Sequence, residues 1–158
     1  MKSKMTSKII FFIKHYVIQT VLATIVIYLI LLALSLQDAV IIASLGATTF
    51  IVFAMPKALT AQPRNVIGGQ LIGLFCGYLF HFIHHPMFMN QTLVYALAVG
   101  LSMFLMVITD TEHPPASGTA LGVAMGGFSW SVTIAVVASS VILSFIHTFF
   151  RGYLEDLA

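Results

Sequence analysis

Four apolar runs follow one another along this chain, at residues 16–36, 66–83, 92–109 and 131–150. Each is long enough, or nearly so, to cross a bilayer, which takes ~20 mostly apolar residues. Two weaker stretches lie between them. Residues 39–55 are apolar but short, and Ser44, Gly46, Thr48 and Thr49 soften them. Residues 115–128 are shorter still and rich in Gly and Ala. A helix of about 14 residues rises only ~21 Å, against a hydrocarbon core of ~30 Å. That stretch is therefore expected to be a partial or broken span. The pattern predicts an all-α, polytopic helical membrane protein with about six membrane segments, two of them short or broken.

Composition agrees. Only 8% of residues are charged, where a soluble domain carries about 25%. A net charge of +2 is too small to argue for a nucleic-acid partner. Cys76 is the sole cysteine, which excludes a disulfide within one chain. Lys2, Lys4, Lys8 and Lys14 precede the first run, but no small-residue cleavage site and soluble domain follow it. The run reads as a retained first helix, and residues 1–158 as a single transmembrane domain.

Threading six segments from a cytoplasmic N-terminus places all seven basic residues on the inner side: Lys2, Lys4, Lys8, Lys14, Lys57, Arg64 and Arg151. The outer turns, around Gln37–Asp38, residues 84–91 and Ser129–Trp130, carry none. This split obeys the positive-inside rule. It implies both termini in the cytoplasm, with a bacterial inner membrane as the expected location. Tyr16, Trp130 and Tyr153 fall near segment ends, where interfacial aromatics belong.

Two helices on the inner side open with proline, Pro63 and Pro115. Proline suits the first helical turn, where its missing N–H costs nothing. Each helix then repeats glycine every fourth residue, as Gly69, Gly73 and Gly77, and as Gly118, Gly122 and Gly126. Small faces allow close helix approach in lipid, so the two helices are expected to pack together with their N-termini converging. Helix N-termini favour anions. Gln62, Arg64 and Asn65 flank the first, and His113, Ser117 and Thr119 the second. Arg64 offers a planar fork suited to a small oxyanion. Its other reading is an anchor to lipid phosphate. Ser44, Thr48 and Thr49 are expected to bond carbonyls of their own helix.

The cluster Asp110, Glu112 and His113 is the densest in ionisable groups. It reads either as a proton-coupling site or as a solvated turn with a capping carboxylate. His81, His84 and His85 share a helical face, but neither a fourth ligand nor a supporting carboxylate is visible nearby. They read as interfacial histidines, as do His15 and His147 near helix ends. No metal and no cofactor is expected.

The stretches Ser44–Leu–Gly–Ala–Thr48, Ala61–Gln–Pro–Arg–Asn–Val–Ile–Gly–Gly69 and His113–Pro114–Pro115–Ala–Ser–Gly–Thr–Ala–Leu–Gly122 resemble the HPP family of integral membrane proteins. The resemblance covers nearly the whole chain in the expected order. It implies a compact multi-helix membrane protein, and members with an assigned activity are linked to nitrite transport. The expected function is membrane transport of a small inorganic anion, nitrite first, by a homo-oligomer in the lipid bilayer. An intramembrane enzyme using Asp110, Glu112 and His113, and a non-transporting subunit of a membrane complex, are the competing readings. Cys76 and Ser117 lack the context of an activated nucleophile, so no catalytic residue is assigned.

Overall fold

The computed structural model describes residues 2–34, 39–83 and 90–157, with side chains from residue 14 onward save 16, 33, 34 and 39. The readings placed on Gln37, Asp38, His84 and His85, and on the side chains of Lys2, Lys4, Lys8 and Tyr16, lie outside what is described. Six helices, and no strand among the described residues, form the fold. They are α1 (Lys2–Leu34), α2 (Ala39–Ala54), α3 (Pro63–Phe82), α4 (Gln91–Ile108), α5 (Pro115–Gly126) and α6 (Trp130–Phe150). A 3₁₀ turn, Leu59–Ala61, joins α2 to α3. This is the architecture of a polytopic helical membrane protein. Helices α3, α4 and α6 are each long and apolar enough to cross a membrane, and α2 and residues 17–32 of α1 are shorter apolar stretches.

Local chemistry fixes the ends. Asn90 caps α4 by accepting from the Leu93 N–H at 2.8 Å, and Ser129 accepts from Val132 N–H at the start of α6. Pro63 and Pro115 open α3 and α5. Helix α5 stops at Gly127, whose φ of 83° favours glycine. A Cβ there would also lie 2.7 Å from the His81 ring.

Helix α5, only 12 residues and ~18 Å long, is enclosed by α2, α3 and α4. Gly69, Gly73 and Gly77 of α3 lie directly against the chain from His113 to Val123. Gly118 and Gly122 of α5 do not return that contact. Gly118 meets Ser44, and Gly122 meets Val40 and Ile41, all on α2. Gly118 and Gly122 therefore do not pack on the α3 glycines. Each set lets a different neighbour approach, and α5 turns Ala116, Thr119, Ala120 and Val123 toward α3.

At one end of the bundle three elements cap the carbonyls that α2 leaves open. The Gln19 amide of α1 donates to Phe53 O at 2.6 Å and to Glu155 O at 2.9 Å. Leu157 N–H donates to Ala54 O at 2.8 Å, and His147 Nε2 bonds Pro56 O at 2.7 Å. Lys57 pairs with Glu155 at 2.9 Å, and the Glu155 carboxylate raises the Lys57 ammonium above its ordinary pKa. Lys57, Arg64 and Arg151 all lie at this basic end, and Lys14 precedes Gln19 by just over a turn of α1.

Candidate functional site

The turn between α4 and α5 carries the site. Helix α4 ends with Asp110 in the left-handed region, φ 50°. Thr111 N–H then bonds Met106 O at 2.9 Å, and Asp110 N–H bonds Val107 O at 3.3 Å. These are the paired bonds of a helix closed by a left-handed residue. Asp tolerates that conformation better than most residues. Arg64 Nη2 donates to Thr109 O at 2.8 Å, satisfying another terminal carbonyl. Its guanidinium also lies 3.9 Å from the Asp110 carboxylate, with both side chains largely exposed.

From there the chain climbs along α3. Thr111 lies on Gly68 and His113 on Gly69. Asn65 Nδ2 donates to Glu112 O at 3.2 Å and steadies the climb. Helix α5 starts level with residues 69–73 of α3, about eight residues or ~12 Å deeper than Pro63. Helix α3 is itself ~30 Å long, so α5 begins near its middle. Backbone polar groups at such depth must be satisfied within the protein. Consecutive prolines remove the difficulty at its source, because neither Pro114 nor Pro115 has an N–H.

Beside this start lies a buried polar network. Ser44, Thr48, Gln70, His113 and Thr119 are each at most 4% exposed. His113 Nδ1 lies 2.9 Å from Thr60 O, and Nε2 lies 2.9 Å from Thr48 Oγ1. A carbonyl only accepts, so Nδ1 carries the proton, and Nε2 of the neutral ring accepts from Thr48. Gln70 bridges the helices: its Nε2 donates to Thr48 Oγ1 at 3.1 Å, and its Oε1 accepts from Thr119 Oγ1 at 2.6 Å. Ser44 Oγ donates to Pro115 O at 2.6 Å and lies 2.8 Å from Thr119 Oγ1. The Thr48 hydroxyl has one proton and two acceptors in reach, His113 Nε2 and Ser44 O at 3.0 Å.

The expected convergence of the two helix starts is not found. The stagger divides the residues assigned to one site. Gln62, Arg64, Asn65, Asp110 and Glu112 line an open cleft of about 500 Å³ at the basic end. His113 and Thr119 belong to the deeper network. Ser117 faces α4, with Ser102 Oγ 3.4 Å away, on an apolar chamber of about 330 Å³ that Glu112 and His113 also reach. The expectation for Ser44 also needs correction: its hydroxyl crosses to α5 instead of bonding its own helix. Thr49 does bond its own carbonyl, at Leu45, and Thr48 reaches its own at Ser44, though its one proton serves either Ser44 O or His113 Nε2 while its oxygen accepts from Gln70. Gln70 was missed. Its signal was there, since a lone amide inside an apolar span needs partners on other helices. Among the described residues no three His, Cys, Asp or Glu side chains gather as a metal site.

Comparison with known proteins gives a family and little more. The family model described as HPP, transmembrane region, matches residues 8–155. A transmembrane protein of Dictyostelium discoideum is 39% identical over 94 residues, covering 60% of this chain and 33% of the relative. A second transmembrane protein of the same organism is 31% identical over 81 residues, covering 51% of this chain and 26% of the relative. The matched region is thus a third or less of each relative's length. No solved structure matches the chain.

Proposed function

Since this chain belongs to the HPP transmembrane family, we propose that it transports a small inorganic anion, nitrite first, across the membrane. One observation carries the reading: α5 begins level with the middle of α3, beside a cluster of hydroxyl and amide groups buried between three helices. The α5 dipole places partial positive charge there, and broken transporter helices use such ends to hold anionic groups. With Pro114 and Pro115 lacking an N–H and those of Ala116 and Ser117 bonded to His113 O and Pro114 O, the donors must come from side chains. The Ser44, Thr48 and Thr119 hydroxyls and the Gln70 amide are donors that an anion would draw from their internal acceptors. Arg64, at the mouth of the cleft, attracts anions toward it.

The basic end is proposed to face the cytoplasm of a bacterial inner membrane, with both termini there. An enzyme is less well served: the hydroxyl neighbour of Ser117 is another serine, Ser102, not a base. A homo-oligomer is proposed through the groove between α2 and α5, where Ala43, Ala47 and Pro114 are exposed. A neighbouring copy there would cover the turn between α4 and α5, and Ala47→Cys in a Cys76→Ser background should cross-link between copies.

The test is anion flux into proteoliposomes of purified protein, screened over nitrite, nitrate, chloride and formate after subtraction of empty liposomes. Protein-dependent flux with nitrite fastest supports the reading. Flux no faster than empty liposomes for every anion removes it.

A further inference from the structure

Glu112 sits in the wall between the two cavities that flank the turn between α4 and α5. It lines the open cleft with Arg64 and Asp110, and it lines the apolar chamber with Met106, Pro114 and Ser117. Its Oε2 is buried and has no hydrogen-bond partner. A buried polar atom left without a partner calls for an explanation, and a role in function is one. The other titratable groups that line the two cavities are otherwise engaged. Asp110 is exposed, closes α4 and lies beside Arg64. His113 has both ring nitrogens bonded, to Thr60 and Thr48. Among the described residues, no other charged or titratable side chain lines either cavity with Glu112; α4 and α5 contribute only methionines, Val107 and Ser117.

We infer that Glu112 is the proton-carrying group of this protein, and that the anion moves together with one proton. The inference rests on the transport reading above. In one state Glu112 Oε2 takes a proton from solution, and in the other it returns that proton to solution on the opposite side. One monovalent anion crosses with it, so no net charge moves. The inside-negative potential, which opposes an entering anion by about 2.3 kcal/mol per 100 mV, then drops out.

The experiment uses proteoliposomes and labelled nitrite, with Glu112→Gln and Asp110→Asn beside the wild type. A pH gradient, inside alkaline, should drive accumulation by the wild type and by Asp110→Asn. Glu112→Gln should lose that accumulation at least tenfold, yet still exchange labelled for unlabelled nitrite with no gradient. Accumulation by Glu112→Gln equal to wild type, or accumulation driven by sodium in place of protons, overturns the inference while leaving transport standing. No protein-dependent flux in wild type overturns the transport reading, and this inference falls with it. Should Glu112→Gln not fold, a hydrophobic carbodiimide on the wild type decides. Modification of Glu112 that fades as pH rises supports the assignment, and a Glu112 untouched at every pH overturns it.

Discussion

The carbonyl oxygen of Ala116 lies so close over Gly73 that a Cβ at position 73 would collide with it. The obstacle is backbone, which cannot swing aside. Gly73→Ala should therefore destabilise the protein by about 1–3 kcal/mol, the usual range for overpacking. Gly122→Ala should do less, because its first obstacle is the flexible Cδ1 of Ile41, at 2.9 Å. Gly100 has nothing within 4 Å of a built Cβ, so Gly100→Ala should gain about 0.5–1 kcal/mol from helix propensity. Thermal unfolding in detergent gives the order, and equal midpoints for all three would refute it.

Gln70 holds α2, α3 and α5 together through Thr48 and Thr119. Gln70→Leu should lower stability by about 1–3 kcal/mol for each buried partner left unpaired. Adding Thr119→Val should cost less than its effect alone, since the orphaned hydroxyl goes with it. Additive losses in the two-residue cycle would show that the amide and the hydroxyl act separately.

Asp110 holds a positive φ as the closing residue of α4. Asp110→Gly should fold at least as well as wild type. Asp110→Val should lose about 1–2 kcal/mol, the strain of the left-handed region. Nitrite flux per folded molecule should be the same in both, since the role is conformational. A flux loss shared by both would give the carboxylate a part in transport.

Arg64 is largely exposed and already spans Thr109 and Asp110. Its hold on an anion is therefore screened, nearer the ~1 kcal/mol of a surface pair than that of a buried one. Arg64→Gln should raise the half-saturating nitrite concentration about two- to fivefold, and the difference should shrink at high salt. Arg64→Lys should recover most of it. A half-saturating concentration unmoved by either variant would leave Arg64 as the cap of α4 alone.

The sidedness can be read directly. In a Cys76→Ser background, Asn90→Cys should react with an impermeant thiol reagent on intact cells, and Gly152→Cys should react only after lysis. Reaction at position 152 from outside would reverse the topology.

The sequence alone determined that this chain is a bundle of six apolar helices, with Lys57, Arg64 and Arg151 in turns or at a helix end. Those properties are local: the length of an apolar run, a proline at a helix start, the turn in which a basic residue falls. The same local signals placed Pro115 at the head of a short helix and marked the turn before it as the densest in ionisable groups. They could not place that helix in depth. Two proline-opened helices look alike along the chain, and the ~12 Å stagger between them is set by how far residues 111–113 climb along Gly68 and Gly69. That climb separates Arg64 from Thr119, joins Ser44, Thr48 and Gln70 to His113, and leaves one oxygen of Glu112 buried between two cavities. Such relations depend on which helix faces which, and that is decided only when the whole bundle packs.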